Sequence, residues 1–249
     1  MLSKNEFNVL VALNGTPSIS QREIASKSGI SLGSANAALK SLTEKGMVSN
    51  GAINAEGKEA LSPFKVDNAI IMAAGLSSRF APISYEKPKG LLRVRGEVLI
   101  ERQIKQLKEA GINDITVVAG YKKEYFFYLE ETFGVTIVIN PEYASRNNNS
   151  TLMRVREKLG NTFICSSDDY FTENPFEPYV YQAYYAAQYC KGETPEWCIK
   201  EGPNKRIAGV TIGGSDSLIM LGHVYFDKAF SKRFSEILVA EYDRPETAD

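Results

Sequence analysis

The 249-residue chain has few residues of several chemically important types, and each shortage excludes a class of site. His223 is the single histidine, so a catalytic triad or a multi-histidine metal site would depend on that one side chain. The three cysteines, Cys165, Cys190 and Cys198, are an odd number without CxxC spacing. This pattern argues against a disulfide framework or a structural zinc site and favours a reducing cytosol. Chemistry based on carboxylates, lysine and arginine is therefore expected.

The chain also has almost no net charge and no long apolar runs. Its formal net charge is −1, so no global field draws it to nucleic acid or to an anionic membrane. No run approaches the ~20 apolar residues that cross a bilayer. The start, MLSKNEFNVLVALNG, has no basic region followed by a long apolar run and a cleavage site. We expect a cytoplasmic protein with no membrane partner.

Residues 1–62 predict a small helical domain. Apolar spacing favours helices over Asn5–Leu13 and Gln21–Ser28, and Ser20 has capping-box spacing to Glu23 at the start of the second helix. The next segment predicts a third helix, which Ser31 can cap and which runs to Glu44. Met47–Asn54 is typical of a short hairpin with Asn50-Gly51 as its turn.

That order is the order of a winged helix-turn-helix domain. The segment SISQREIASKSGISLGSANAALKSLTEKGMVS resembles such domains in bacterial transcription regulators, which implies DNA as a partner and Ser31–Glu44 as the recognition helix. Six basic residues against five acidic ones in residues 1–62 give only +1, a weak footprint for a DNA binder. Winged helices also serve as protein contacts or dimerisation modules, so a homodimer remains an alternative.

The remainder of the chain predicts an α/β domain. Short apolar strands alternate with helical patterns, which indicates a mostly parallel sheet; the strands are Ala69–Met72, Ile115–Val118 and Thr136–Ile139, and the helices are Ile100–Ala110 and Glu124–Phe133. Leu61–Lys65 is predicted to be a linker, because Pro63 disfavours helix at Ser62. Beyond Pro175 the pattern is less regular and rich in tyrosine, as expected for further strands and an acceptor-binding lid.

The most informative stretch is AIIMAAGLSSRFAPISYEKPKGL, residues 69–91. A strand runs into small residues, which let backbone N–H groups approach a ligand closely. Arg79 adds a planar cationic fork, and Lys89 places an ammonium group on a Pro-Lys-Gly turn. A triphosphate requires this combination of amide donors and cations. A lone Gly-Leu-Ser-Ser-Arg would be read as a surface turn, but the composite motif is far more specific.

This composite resembles the nucleotidyltransferase superfamily, which condenses an NTP with a phosphorylated small molecule. Further motifs follow in register, namely IERQI, GINDI, VAGY, NPEY, NN and TL. Together they resemble the bacterial CTP:phosphocholine cytidylyltransferases from about Val66 to Asp249. The resemblance implies a Rossmann-like mixed, mostly parallel sheet in residues 66–249, Mg²⁺ as cofactor, and CTP and phosphocholine as substrates.

The resemblance also implies roles for individual residues. Arg79 and Lys89 would be catalytic, stabilising the charge on the transferring phosphoryl group and on pyrophosphate. The nucleotide would be bound by Ala73, Ala74, Gly75, Gly120, Tyr121, Asn147, Asn148 and Thr151. An asparagine side chain both donates to and accepts from a cytosine edge. Two structural alternatives stay open, since Tyr121 fits a core position and the asparagine run fits a helix-capping turn.

Asp168 and Asp169 end an apolar strand, at the sheet edge where ligands gather in open α/β sheets. By the resemblance, Asp168 would bind Mg²⁺, which prefers oxygen ligands and substrate phosphates. An aspartate here is otherwise a turn former. Related enzymes usually have glycine before this aspartate, where this chain has Ser167, a departure expected to shift the loop.

Aromatic side chains in the second half of the domain are candidates for the acceptor site. A quaternary ammonium cannot donate a normal hydrogen bond, so aromatic faces and nearby acids bind it. Trp197, the only tryptophan, follows Glu196 and is the first choice. Tyr170 and Tyr225 are further candidates, although tyrosines in strands commonly belong to the core.

Three expectations remain open. The family supplies a second metal carboxylate from a late segment, and this chain is expected to stop before it, with Asp216 and Asp243 as weak substitutes. A sugar-1-phosphate or another small-molecule phosphate is an alternative acceptor. The alternative of another class is a DNA-binding regulator whose nucleotidyltransferase-like domain senses a ligand.

Overall fold

The computed structural model describes residues 1–16 and 19–247, with the backbone alone at Arg79. Ser18, the first residue of the winged-helix motif, lies outside this range. The chain forms two compact units. The first contains Met1–Lys65 and Tyr179–Tyr181, and the second contains the remainder of the described chain from Val66 onward. Within these residues, no helix has the length and apolar character needed to cross a membrane.

The first unit is a helical domain with a two-stranded hairpin. Its elements in chain order are α1 Lys4–Gly15, α2 Gln21–Ser28, α3 Leu32–Glu44, β1 Val48–Ser49, β2 Ala52–Ile53 and α4 Ala55–Leu61. The predicted capping box is confirmed, because Ser20 N donates to Glu23 Oε2 at 2.8 Å. The predicted cap of the third helix is confirmed too, since Ser31 Oγ accepts from Ser34 N at 3.1 Å. The apolar stripes of α1, α2 and α3 form one buried core around Leu10, Leu13 and Leu42.

The segment predicted as a linker, Leu61–Lys65, has regular structure and ends the first unit, and the boundary between the two units falls directly after it. The α4 helix runs to Leu61, and residues 62–64 continue as a 3₁₀ turn. Pro63 lies in the first positions of that turn, where its missing N–H removes no hydrogen bond. Phe64 lies in the first unit, with its ring centroid 5.0 Å from that of Phe7 and 5.5 Å from that of Tyr181. The segment is therefore part of a core.

The strands of the second unit are β3 Asn68–Ala73, β4 Arg93–Val94, β5 Glu97–Val98, β6 Ile115–Ala119, β7 Thr136–Ile139, β8 Thr162–Ser166, β9 Tyr184–Glu201 and β10 Ile207–Phe226. Six of them form a mixed sheet in the order β7-β6-β3-β8-β10-β9, and β4 and β5 form a separate hairpin. The four strands β7, β6, β3 and β8 are parallel, and β10 pairs antiparallel with β8 and β9. The predicted Rossmann-like, mostly parallel sheet is confirmed.

Helices cover both faces of this sheet; they are α5 Leu99–Glu109, α6 Tyr128–Phe133, α7 Asn148–Arg154 and α8 Lys228–Glu241. Leu152 of α7 and Leu238 of α8 pack with Ile70 and Ile164 in one core cluster. The helix predicted over Glu124–Phe133 is divided, because Lys123–Phe126 is a 3₁₀ turn and α6 begins only at Tyr128. Since β3, β6 and β8 run parallel, their carboxyl ends meet at one edge of the sheet.

The β9–β10 pair folds back over that edge. Residue Leu218 of β10 pairs with Tyr189 on one side and with Ile199 on the other. Farther along β10, Val224 pairs with Tyr185 and, on the opposite side, with Ile164 of β8. The segment around Ile199 therefore continues on the side of β8, beyond the carboxyl end of that strand. We call residues 193–215 the arm.

Candidate active site

A cavity of about 630 Å³ lies at the carboxyl ends of β3 and β8. Loops and strand ends from several parts of the second unit line the cavity. They are Met72 and Ala73 at the end of β3, Gly75–Ser78 and Phe80 in the loop after it, Pro88–Gly90, Asn147, Asn148, Ser166 at the end of β8, Ser167–Asp169 after it, Glu196 of the arm and Gly222 of β10. We call it the phosphate cavity, because its walls carry the loop that the sequence predicts to hold phosphates. Arg79 belongs to this loop by its backbone, in the 3₁₀ turn Ser78–Phe80, and its side chain lies outside what the structure describes.

The loop after β3 is held in place by the loop after β6. Ala74 O accepts a hydrogen bond from Tyr121 N at 3.0 Å. A Cβ atom at Gly120 would lie 2.7 Å from both Ala74 O and Tyr143 Cβ, so only glycine permits this close approach. Gly120 and Tyr121 thus pack against the phosphate loop and support it without lining the cavity.

Lys89 and Asp168 form the charged centre of the cavity. Lys89 Nζ donates to Asp168 Oδ2 at 2.7 Å, and the ammonium group lies 5.1 Å from the ring centroid of Phe80. The Lys89 side chain is 24% exposed and that of Asp168 is 32% exposed, so the pair faces the cavity while partly shielded from water. A cation and a carboxylate in this position can each engage a ligand of opposite charge.

Gly90 packs directly against Ser167, the residue before Asp168. A Cβ at Gly90 would lie 2.8 Å from both Cβ and Oγ of Ser167. Ser167 itself is 5% exposed, and its N–H donates to Met72 O at 3.1 Å. The absence of a side chain at Gly90 thus leaves room for the Ser167 side chain.

Asp169 lies deeper than Asp168 and was predicted only as its neighbour. Its Oδ2 atom is buried without a hydrogen-bond partner, and a Cβ at Gly222 would lie 3.1 Å from that oxygen. Burial and the adjacent Asp168 raise the pKa of Asp169 to about 6, an effect that Lys89 partly offsets. The Gln103 amide donates to Ser166 O at 2.8 Å and to Asp169 O at 2.9 Å, which holds the strand end in shape.

The two aspartates suit a metal ion that arrives with a substrate. Mg²⁺ is commonly bound by one or two carboxylates together with substrate phosphates and water. Asp168 and the unpartnered oxygen of Asp169 supply such a donor set. Among the described residues, no group of three or more His, Cys, Asp or Glu is placed to hold a metal by itself. The donor set therefore fits Mg²⁺ bound jointly with a triphosphate.

A second cavity of about 760 Å³ adjoins the first, and we call it the acceptor cavity. The two share five lining residues, namely Asn147, Asn148, Ser166, Glu196 and Gly222. The remaining wall combines acids and aromatic rings with aliphatic and small polar side chains. The acids and rings are Glu241, Glu246, Tyr185, Trp197, Phe234 and Tyr242, and the others are Asn149, Val210, Met220, Ile237, Leu238 and Thr247. The described lining includes no lysine, arginine or histidine. This chemistry favours a ligand with a positive charge at one end.

The structure brings together only some of the residues predicted from the sequence. Ala73, Gly75, Lys89, Asn147, Asn148 and Asp168 line the phosphate cavity, and Trp197 lines the acceptor cavity, 52% exposed. Ala74, Gly120, Tyr121, Thr151, Tyr170 and Tyr225 lie outside both linings. Thr151 is buried and its hydroxyl accepts from Asn140 Nδ2 at 3.2 Å, so it supports α7 from within.

Two predicted acceptor residues are engaged elsewhere. The ring of Tyr225 is fully buried within the sheet, 5.3 Å from the ring of Phe163. The ring of Tyr170 lies 4.9 Å from the guanidinium carbon of Arg102. Residues 223–225 of β10 are buried in succession, so no alternation along that strand marks the position of Tyr225. The contact of Tyr170 with Arg102 joins segments 68 residues apart. Gly222 lines both cavities and belongs to no motif read from the sequence. Gln103 lies in the IERQI motif, but its contacts with the end of β8 were not predicted.

Comparison with known proteins agrees with this geometry. A family model for MobA-like NTP transferase domains matches residues 69–187, and a model for winged helix-turn-helix DNA-binding domains matches residues 2–49. The chain is 35% identical over 181 residues to the choline-phosphate cytidylyltransferase of Streptococcus pneumoniae, covering 73% of this chain and 79% of that protein. The chain belongs to this cytidylyltransferase family. It is therefore an enzyme of the nucleotidyltransferase class with an amino-terminal winged helix-turn-helix domain.

One further relative and one solved structure bear on the acceptor specificity of the cytidylyltransferase. It is 38% identical over 179 residues to the 2-aminoethylphosphonate cytidylyltransferase of Lancefieldella rimae, covering 70% of this chain and 73% of that protein. Among solved structures, the CTP:phosphocholine cytidylyltransferase from Streptococcus pneumoniae superposes with a TM-score of 0.68 at 34% identity, covering 73% of this chain and 80% of that one. The relatives thus share cytidylyl transfer and differ in the acceptor that their names state.

Proposed function

We propose that this enzyme transfers CMP from CTP to phosphocholine, giving CDP-choline and pyrophosphate. The observation that carries the proposal is the junction of the two cavities. The phosphate cavity, which is lined by Lys89 and two aspartates, opens directly into the acceptor cavity, whose wall includes glutamates and aromatic rings. A triphosphate fits the first space and a cationic alkyl group fits the second. The acceptor's phosphate would then lie at the junction, beside the α-phosphate of the nucleotide.

The reaction requires no protein nucleophile, since the acceptor phosphate is already ionised near neutral pH. One of its oxygens attacks the α-phosphorus in line, the bond from that phosphorus to the bridging oxygen breaks, and pyrophosphate leaves with the electron pair. Catalysis then consists of positioning and charge neutralisation. Arg79 and Lys89 carry the positive charge assigned to the transition state and to the leaving group.

Lys89 has a second task in this scheme. Its ammonium group is hydrogen-bonded to Asp168 at 2.7 Å. In the proposed complex Lys89 binds a phosphate oxygen of the triphosphate, which leaves Asp168 available to a cation. Asp168 and Asp169 would then hold Mg²⁺, which supplies neutralisation of phosphate charge when bound. Asn147 and Asn148, at the boundary of the cavities, would contact the nucleoside.

The acceptor cavity favours an ammonium-bearing phosphate over a sugar phosphate. A quaternary ammonium is bound by an aromatic face such as that of Trp197, with a carboxylate such as Glu196 or Glu241 nearby. A primary ammonium also donates hydrogen bonds and would depend more on the glutamates. 2-Aminoethylphosphonate, named for the relative from Lancefieldella rimae, is therefore the principal alternative acceptor.

Pyrophosphate release tests the proposal directly. CTP, UTP and dTTP are each incubated with Mg²⁺ and with phosphocholine, 2-aminoethylphosphonate or glucose 1-phosphate. Release with CTP plus phosphocholine at the highest kcat/KM supports the proposal. A higher kcat/KM with 2-aminoethylphosphonate reassigns the acceptor, and a preference for UTP with the sugar phosphate contradicts the cytidylyl-choline function altogether.

A second function rests on the amino-terminal domain. The match of residues 2–49 to a DNA-binding winged-helix model supports DNA as a partner through α3, whose exposed side chains include Asn36 and Lys40. Retarded migration of upstream DNA fragments with the full chain at low salt would support a regulatory role. Absence of any shift would leave protein contact or homodimerisation as the task of this domain. A cytoplasmic location remains a prediction.

A further inference from the structure

The carboxyl-terminal end of α8 is tied to the segment after β7 by polar contacts that the proposed reaction does not use. The hydroxyl of Tyr242 donates to Glu142 Oε2 at 2.9 Å, and Arg154 donates to the same oxygen at 2.6 Å. Arg146 donates to Tyr242 O at 2.6 Å, and its guanidinium carbon lies 4.3 Å from the centroid of the Tyr242 ring. We call these four residues the latch.

The charges of the latch reinforce one another. The hydrogen bonds from Tyr242 and Arg154 lower the pKa of Glu142, so this carboxylate is ionised at neutral pH. Burial and the hydrogen bond to Glu142 raise the pKa of Tyr242, so its hydroxyl keeps the proton that it donates. The contact is thus a charge-assisted hydrogen bond, which is stronger than one between neutral groups.

The latch holds the residues at the junction of the two cavities. Arg146 directly precedes Asn147, and Asn147 and Asn148 line both cavities. On the other side of this pair, the Asn149 amide donates to Thr247 O. The segment that follows α8, from Tyr242 to Thr247, therefore contacts the residues on both sides of the asparagine pair, and Tyr242 itself forms part of the acceptor cavity wall.

Support of the fold alone does not account for the latch. The body of α8 is already anchored by Leu238 in the core and by Ser231, whose hydroxyl donates to Gly160 O at 2.6 Å. The latch lies beyond the last helical residue, Glu241. The Tyr242 ring packs against the same core cluster, whereas its hydroxyl contacts Glu142 and adds nothing to that packing. Removal of one latch contact should therefore leave the fold intact and loosen the asparagine pair.

We propose that Tyr242 is a positioning residue for the nucleotide. Acting through Arg146 and Glu142, it holds Asn147 and Asn148 in the geometry that binds CTP, so the wall of the acceptor cavity also sets the affinity of the phosphate cavity. This inference rests on the proposed function, because it assigns CTP to the phosphate cavity.

The substitution Tyr242→Phe tests the inference, because it keeps the ring against Arg146 and removes only the hydroxyl. We expect the Kd and the KM for CTP to rise about fivefold, as for a modest coupling between sites, with kcat nearly unchanged. The matched control is Tyr128→Phe, which removes a 2.8 Å hydrogen bond to Glu101 outside both cavity linings. The control should bind CTP as the wild type does, and both variants should unfold at similar temperatures.

A double-mutant cycle separates a shared role from two independent defects. If Tyr242 acts through Glu142, the double variant Tyr242→Phe with Glu142→Gln binds CTP no more weakly than the worse single variant. Additive losses, or a CTP affinity of Tyr242→Phe equal to that of the wild type, would overturn the positioning role while the proposed function stands. A wild-type chain that neither binds CTP nor releases pyrophosphate would instead overturn the proposed function, and the positioning role with it.

Discussion

At the scale of single residues, the Lys89 ammonium group is held at the wall of the phosphate cavity by a hydrogen bond to one carboxylate. Its partner in the structure, Asp168, is an anion that the proposed reaction needs for a metal ion, and the two hold each other in place at 2.7 Å. The pair is about a quarter to a third exposed, so its contribution to stability is small, below about 1 kcal/mol. Its value lies in positioning rather than in holding the fold.

Substitution of Lys89 should therefore separate activity from stability. We expect Lys89→Ala to lower kcat by about 10²–10³-fold, the loss typical of removing one donor to developing charge, while the unfolding temperature changes little. The control is Lys87→Ala, an exposed lysine two residues earlier that lines neither cavity. Steady-state pyrophosphate release and thermal unfolding measure both effects, and unchanged turnover in Lys89→Ala would refute its catalytic role.

Gly90 and Ser167 form a compensating pair. Gly90→Ala would place a Cβ 2.8 Å from the Ser167 side chain, and relief of that overlap would displace Asp168 next to it. We expect a loss of about 1–3 kcal/mol of stability together with reduced activity. The double variant Gly90→Ala with Ser167→Gly should recover part of both, because it removes the overlapping atoms. Gly209→Ala, where the nearest atom is 3.9 Å away, is the control.

A double variant no better than Gly90→Ala alone would show that the restriction at residue 90 comes from the backbone rather than from Ser167. Chemical denaturation gives the stability of each variant on one scale.

At the scale of elements, Glu6 fastens α1 to α3. It is 5% exposed, caps its own helix through Ser3, and accepts from Ser41 Oγ at 2.8 Å and from Lys45 Nζ at 2.5 Å. Burial favours the neutral acid, but the hydrogen bonds from Lys45, Ser3 and Ser41 outweigh it and lower the pKa of Glu6 to about 2. The folded first unit therefore prefers the ionised carboxylate.

Because the pKa of Glu6 in the folded state lies below the ordinary glutamate value of 4.5, this stabilisation is present above pH 4.5 and is lost as the pH falls towards 2. We expect Glu6→Gln to cost roughly 1–2 kcal/mol at pH 7, with the difference from the wild type shrinking in acid. Hydrogen-exchange protection of the α1 amides, compared at each pH, measures it. Glu44→Gln, which loses only an exposed pair with Lys40, should be neutral, and a constant difference down to pH 3 would refute the assignment.

The arm is the element that turns a sheet edge into a two-part site, because it carries Glu196 and Trp197 beyond the end of β8. We expect Trp197→Ala to raise the KM for phosphocholine by about tenfold, a loss within the range for a cation held on an aromatic face, and to leave the KM for CTP nearly unchanged. Trp197→Phe should retain most of the affinity. Equal effects on both KM values would place Trp197 outside acceptor recognition.

At the scale of the whole molecule, the chain returns to the first unit late in its course. Tyr179–Tyr181 belongs to that unit, where Tyr181 stacks on Phe64 at 5.5 Å and its hydroxyl donates to Leu2 O at 3.1 Å. A boundary drawn at one point in the sequence therefore cuts through a core.

We expect a shortened chain that begins at Val66 to self-associate. It keeps Tyr181 but loses Phe7 and Phe64, which pack against the Tyr181 ring, so an apolar surface is exposed. The substitution Tyr181→Ser in the shortened chain should reduce this self-association. Size-exclusion chromatography and pyrophosphate release compare the two shortened chains with the full one. A shortened chain that is as monomeric and active as the full chain would show that the contacts of Tyr181 within the first unit are dispensable.

Local pattern by itself determined much of this protein. The helices α2 and α3 with their caps, the strands β3, β6 and β7, and the phosphate loop from Ala73 to Lys89 all follow from periodicity, capping chemistry or a contiguous motif, because each depends on residues close in sequence. Only tertiary structure decided how the arm returns past β8, why Tyr225 is buried, why Asp169 keeps an unpartnered oxygen, and that Tyr242 reaches Glu142 across 100 residues. These features depend on strand register and on long-range packing, and neither leaves a periodic signal in the residues that take part.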